Sequence, residues 1–188
     1  LVIVVLFLLL GNFRAALIAA LVIPITMLLT SFGMLRAGVS ANLMSLGALD
    51  FGLIVDGAVI IVENALRRMA EFQHREGRIL TLQERLASVA AAAREMVRPS
   101  VYGQAIIILV YMPLLTLSGV EGKTFIPMAL TVIIALAFAF ILSLTFVPAA
   151  IGIWLSKRVE EKEGRIMTWL KQRYEPGLDR AMSKPKVT

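Results

Sequence analysis

Long apolar runs separated by short polar breaks make up most of this chain. Five runs stand out: Leu1–Leu10, about Ala15–Leu35, about Leu43–Leu66, about Ser100–Leu117 and about Phe125–Leu155. A helix crosses the hydrocarbon core of a bilayer with roughly 20 apolar residues, and four of the runs reach or approach that length. Leu1–Leu10 is shorter. It lacks the basic start and small-residue cleavage site of a signal peptide, so it is expected to be the second half of a span, and the chain an internal piece of a larger protein. Strand-type alternation is absent. Backbone groups in lipid must be satisfied within their own segment, so the runs predict helices. Pro148 predicts a kink or a boundary in the last run.

The breaks differ in character. Gly11–Arg14 predicts a tight turn, and Arg36–Asn42 and Ser118–Thr124 are short. Arg67–Arg98 is a long, charged connection. Within it, Leu80–Val97 has the pattern of an amphipathic helix leading into the fourth run, with Pro99 at a bend or at a helix start. Arg165–Met182 mixes Ile166, Met167, Trp169, Leu170 and Tyr174 with basic residues. That composition suits a helix lying on the membrane surface, and equally a charged linker before a further span. The expected fold is an all-α membrane protein. Residues 1–155 form a polytopic transmembrane helix bundle, and residues 156–188 a cytoplasmic amphipathic, basic segment ahead of another span.

Composition agrees with this. Of the 188 residues, 59% are apolar and the mean hydropathy is +0.83, whereas soluble domains are about 45–50% apolar. Without cysteine the chain has no disulfide and no thiolate metal site. The net charge of +6 does not point to nucleic acid, because the basic residues flank the apolar runs. Alternating sides places Arg14, the seven Arg of the long connection and nine basic residues of the tail together, seventeen in all, against only Arg36 and Lys123. The positive-inside rule makes the richer side cytoplasmic. The third run then leads from the outer face at Leu43 to the cytoplasmic face at Leu66.

That third run carries the chemistry. It contains Asp50, Asp56 and Glu63 and no Lys, Arg or His. One charged side chain in hydrocarbon costs roughly 2.5–3.5 kcal/mol even on lenient scales, so three acids on one span imply an ion or proton pathway, or partners that neutralise them. Asp56 and Glu63 are seven residues apart, within about 20° on a helix and roughly 10 Å along it. Asp50 lies about 120° away from Asp56. Gly52 precedes Asp56 by one turn, and Gly47 and Gly57 flank Asp50 at i−3 and i+7. Such small residues let a neighbouring helix approach. A proton carrier needs both protonation states within reach, so Asp56 is expected to face a basic or hydroxyl partner. The chain is expected to contain no buried Lys or Arg to serve, which places that partner outside the chain. Glu63, near the cytoplasmic end, has an alternative reading as a wet residue paired with Arg67 at i+4. His74 reads as solvated, and the D-F-G triplet at Asp50–Gly52 has no accompanying kinase loops.

The fifteen residues Asp50–Asn64, DFGLIVDGAVIIVEN, fit D-F-G-x-x-x-D-G-A-x-x-x-V-E-N. With SLGALDFG before them, NALRRM after, Arg98-Pro99-Ser100, PLLTLSGVEGKTFIPMA and FVPA, they resemble the heavy-metal efflux branch of the resistance–nodulation–division (RND) pumps, the CzcA/CusA type. The motif is similar to that family's fourth transmembrane helix, and the chain to its second through sixth.

This resemblance implies an AcrB-like transmembrane domain in a proton-driven antiporter, not an enzyme. It implies a homotrimer in the bacterial inner membrane, joined to a periplasmic adaptor and an outer-membrane channel, embedded in lipid and without nucleic acid. Asp56 matches the central proton-relay acid, and Asp50 and Glu63 the two further acids of that helix. No cofactor is implied; the transported species are a divalent metal ion and protons, with the metal-binding residues unknown. The Asp50 form is similar to the branch handling zinc, cobalt, cadmium or nickel, whereas copper and silver pumps of this type usually lack that Asp and use methionines. Three alternatives stand beside it: an RND pump for organic compounds, an uncoupled channel or structural bundle, and an intramembrane aspartyl protease. The last requires two acids facing each other from different helices, which Asp50 and Asp56 on one helix do not provide.

Overall fold

A computed structural model of the chain describes residues 2–39, 51–155 and 174. Asp50, Gly47 and the basic segment 156–188, Tyr174 excepted, lie outside these residues.

Helix α1 (Val2–Leu10) is apolar all round and buries only Leu6. The chain reverses at Gly11, where φ is +62°, a conformation open to glycine because it has no Cβ. Asn12 then caps α2 (Phe13–Ala37), its side-chain oxygen accepting from the amides of Arg14 at 3.1 Å and Ala15 at 3.4 Å. At about 1.5 Å per residue, α2 is long enough for a ~30 Å core. It ends at left-handed Gly38, followed by a bond from the Val39 amide to the Met34 carbonyl at 3.0 Å, which pairs carbonyls the helix end would leave open.

Helix α3 (Phe51–Glu76) is the hub, packing against α2 and against the three helices that follow it. Its apolar positions recur at three- and four-residue spacing. Ile54, Ala58, Ile61, Val62, Ala65 and Met69 are all buried. The stripe continues past Leu66, so α3 runs ten residues beyond the end of the expected span. It stops at Gly77, where φ is +68°.

Thr81 then starts α4 (Leu82–Tyr111) with a capping box. Its hydroxyl oxygen accepts from the Glu84 amide, and the Glu84 carboxylate accepts from the Thr81 amide at 2.8 Å. The long connection is thus mostly two helical extensions meeting at a short turn. Pro99 sits inside α4. A 3-10 turn, Met112–Thr116, follows. Helix α5 (Gly119–Leu144) and helix α6 (Phe146–Trp154) divide the last apolar run. The break falls at Thr145, which puts Pro148 in the first turn of α6, where its missing N–H costs no helical bond.

Among the described residues, three helical stretches are long and apolar enough to cross a membrane: Phe13–Ala37, Leu82–Thr116 and Gly119–Trp154. The described residues are helical apart from turns and contain no strand. This is the expected all-α bundle. Its main core joins α2, α3, α4 and α6 through Ile18, Val22, Ile61, Val62, Met69, Val89 and Ile151. Small residues set the closest approaches. A Cβ at Gly152 would lie 2.5 Å from Leu86 Cδ2, and one at Gly33 2.8 Å from Ile134 Cγ2. Arginines complete the α6 C-terminus. Arg85 Nη1 donates to the Leu155 carbonyl at 2.9 Å and Arg14 Nη1 to that of Trp154 at 3.5 Å. Cations are favourable there because the last carbonyls carry the negative end of the helix dipole.

Candidate functional site

Helix α3 has two faces, and the acids occupy the one that the described helices leave open. Asp56 and Glu63 are both exposed, in line with exposed Gly52, Ile60 and Arg67. Neither acid makes a hydrogen bond or ion pair among the described residues. The Glu63–Arg67 pair of the alternative reading does not form. Arg67 instead donates to Asn64 Oδ1 at 3.3 Å and lies 3.8 Å from Glu71.

The two described glycines separate. Gly57 is buried, and a Cβ there would lie 3.5 Å from Ser143 Oγ and 4.0 Å from Gln104 Nε2. It therefore sits where α4 and α5 meet α3. Gly52 lies on the open acidic face. The expectation of no buried cation needs one correction. Arg85 is 8% exposed, but it serves the end of α6 and stands in the charged first half of α4, away from Asp56.

Asn64, the last residue of the fifteen-residue motif, has a role that the spacing argument did not assign. It is buried. Its amide donates to the Ala92 carbonyl and to Glu95 Oε2, both at 3.1 Å. Arg68 closes the cluster with Nη2 3.0 Å from the same Glu95 oxygen. This clamp locks α3 to α4 one residue beyond Glu63. The available signal was a lone Asn within an apolar helix, which needs partners when buried. At the tip of the hairpin, the Arg78 guanidinium and the Thr81 amide and hydroxyl bring the Glu84 carboxyl down to about 2, and Glu84 in turn raises Arg78.

The arrangement thus anchors one face of α3 firmly and presents carboxylates on the other. Exposed acids on a rigid helix can bind and release protons, and their response to protonation depends on the surface they meet. Among the described residues no cluster of three or more His, Asp or Glu is placed to hold a metal ion.

The whole chain, residues 1–188, matches the sequence profile described as the AcrB/AcrD/AcrF family. The chain belongs to that family. Within these RND transporters it falls in the CzcA/CusA heavy-metal branch. It is 62% identical over 185 residues to the nickel-cobalt-cadmium resistance protein NccA of Alcaligenes xylosoxydans xylosoxydans, covering 98% of this chain and 17% of that protein. To the cobalt-zinc-cadmium resistance protein CzcA of Cupriavidus metallidurans it is 58% identical, covering 100% of this chain and 18% of the relative. The cation efflux system protein CusA of Escherichia coli K12 is 32% identical, at 95% and 18% coverage. A crystal structure of a heavy metal efflux pump, crystal form II, superposes with a TM-score of 0.72 at 36% identity, over 95% of this chain and 15% of that one. The chain therefore spans less than a fifth of the length of these relatives. Family membership and the apolar helices make it part of a multi-pass membrane protein.

Proposed function

We propose that this chain is the proton-carrying part of a pump that exports divalent heavy-metal cations across the bacterial inner membrane. Asp56 is the central acid, with Asp50 and Glu63 on the same helix. Protons arrive from the periplasmic side, neutralise Asp56 and leave past Glu63 to the cytoplasm. Neutralisation removes the attraction between Asp56 and a basic group on a facing helix. The helices repack, and that motion drives the metal-handling domains. The complete pump works as a homotrimer, with a periplasmic adaptor and an outer-membrane channel.

The observation that carries this reading is the open acidic face of α3. Two carboxylates lie in line on a helix whose other face is fully packed, inside a chain of a transporter family. The contrast among relatives supports the substrate class. Proteins named for nickel, cobalt, cadmium or zinc resistance share 58–62% identity with the chain, against 32–33% for CusA and SilA.

The test is metal tolerance in a pump-deleted host carrying the full-length gene, wild type beside Asp56→Asn, across zinc, cobalt, cadmium, nickel and copper. The wild type is expected to protect against divalent ions and the variant against none. Equal protection by both would remove Asp56 from the mechanism. Protection by neither, with normal protein levels, would favour an organic substrate.

A further inference from the structure

Past the end of its apolar span, α3 keeps turning, and its side chains change from acids to arginines. Arg67, Arg68, Glu71, Phe72 and Arg75 on α3 and Ser88 on α4 line an open cleft of about 410 Å3. That falls within the usual range of small-ligand sites, ~300–1,000 Å3. Three guanidinium groups line the cleft with one carboxylate, Glu71, and Glu95, outside the lining, pairs with Arg68. Glu71 does little to neutralise Arg67 and Arg75. Glu71 lies 3.8 Å from Arg67, with both side chains more than 60% exposed, and such pairs are weak. Arg68 is held in place by Glu95, which fixes it rather than releasing it to solvent. Arg75 has no ion pair among the described residues, and its guanidinium lies over the Phe72 ring, 5.9 Å from the centroid. Phe72 is half-buried against the core and forms an apolar wall beside the charges.

The cleft opens at the end of α3 that the positive-inside pattern places on the cytoplasmic side, just beyond the last apolar turn. Each guanidinium presents a planar fork of N–H donors, suited to bidentate bonding of phosphate oxygens. Basic pockets between membrane helices at this level are suited to anionic headgroups.

We propose that this cleft binds a phosphate group, with Arg67 and Arg75 as its principal ligands and the headgroup of an anionic membrane lipid as its source. Arg68, anchored by Glu95, completes the cradle. Ser88 supplies a hydroxyl from α4, and Phe72 meets the apolar part of the headgroup. An occupied cleft bridges α3 to α4 next to the Asn64 clamp, with which it shares Arg68. It thereby braces the helix that carries Asp56 and Glu63. The proposal does not depend on which substrate the pump exports.

The experiment uses the intact transporter, purified in a neutral detergent and titrated with phosphatidylglycerol, phosphatidylcholine or inorganic phosphate, with bound lipid read by native mass spectrometry. Wild type is expected to retain phosphatidylglycerol in preference to phosphatidylcholine. The Arg67→Gln/Arg75→Gln double variant is expected to bind it roughly thirtyfold more weakly, with unchanged thermal unfolding before lipid is added. Ser88→Phe fills the cleft and leaves every charge in place. It is expected to lose the lipid as well, which separates a built site from general attraction to a basic surface. Competition by millimolar inorganic phosphate would support the phosphate chemistry but assign the site to the free anion. Equal retention of phosphatidylglycerol by wild type, the double variant and Ser88→Phe would overturn the proposal.

Discussion

The two faces of α3 share one backbone and obey opposite rules. The packed face carries Ala58, Ile61, Val62, Ala65 and Met69, each fully buried against neighbouring helices. The open face carries Gly52, Asp56, Ile60 and Glu63, all exposed. On the packed face any change of volume is felt, because the interior is close-packed. On the open face a change from carboxylate to amide alters charge and proton affinity while leaving the packing alone. Under the proposed proton role of Asp56, stability and function are separable within one helix, by about half a turn.

That separation can be broken or sharpened by mutation. The largest expected effect is on activity: Asp56→Asn abolishes export yet yields wild-type amounts of folded trimer, measured by metal tolerance beside size-exclusion profiles. Next comes Ile61→Ala on the packed face. Ile61 is fully buried, and truncation of such a residue costs about 2–5 kcal/mol. A lower unfolding temperature with residual transport per folded molecule is the expected outcome, the reverse of the Asp56 variant. Asn64→Ala should be milder. It removes the side-chain donor to the Ala92 carbonyl, a loss of about 0.5–1.5 kcal/mol, and should appear as faster hydrogen exchange in α4 around Ala92.

The smallest effect concerns the hairpin tip. The Glu84 carboxyl is lowered from 4.5 to about 2, so its bonds to Arg78 and Thr81 stabilise the fold fully above pH ~4.5 and are lost as the pH falls toward ~2. Limited proteolysis near Gly77–Leu80 should accelerate over that window in wild type. In Glu84→Gln it should be already faster at neutral pH and flat with pH.

Much of the architecture was legible from the sequence because lipid imposes length. Runs of about 20 apolar residues have one structural outcome in a bilayer, and the second, fourth and fifth runs fall on the three described helical stretches long and apolar enough to cross. The common stripe of Asp56 and Glu63 was equally legible, since it follows from the seven-residue spacing alone. Local charge hid other features. The Arg-rich stretch after Leu66 reads as a solvated connection, yet Met69, Ala70 and Gln73 continue the buried stripe of α3. Arg85 reads as a solvated cation and is buried, because the open carbonyl at Leu155 accepts from it, a partner seventy residues away. The break at Thr145 lies three residues before the proline that announces it, because proline fits the first turn of a new helix. The setting of Asp50 and Gly47 lies outside the described residues.

The most direct measurement is proton movement in proteoliposomes containing the full-length pump, with a pH-sensitive dye outside and a zinc gradient imposed. If Asp56 is the proton carrier, wild type couples zinc movement to a proton flux of opposite direction. Asp56→Asn then gives no flux above empty liposomes, while Ile61→Ala retains flux in proportion to its folded fraction. Zinc-dependent proton flux in Asp56→Asn equal to that of wild type would contradict the assignment.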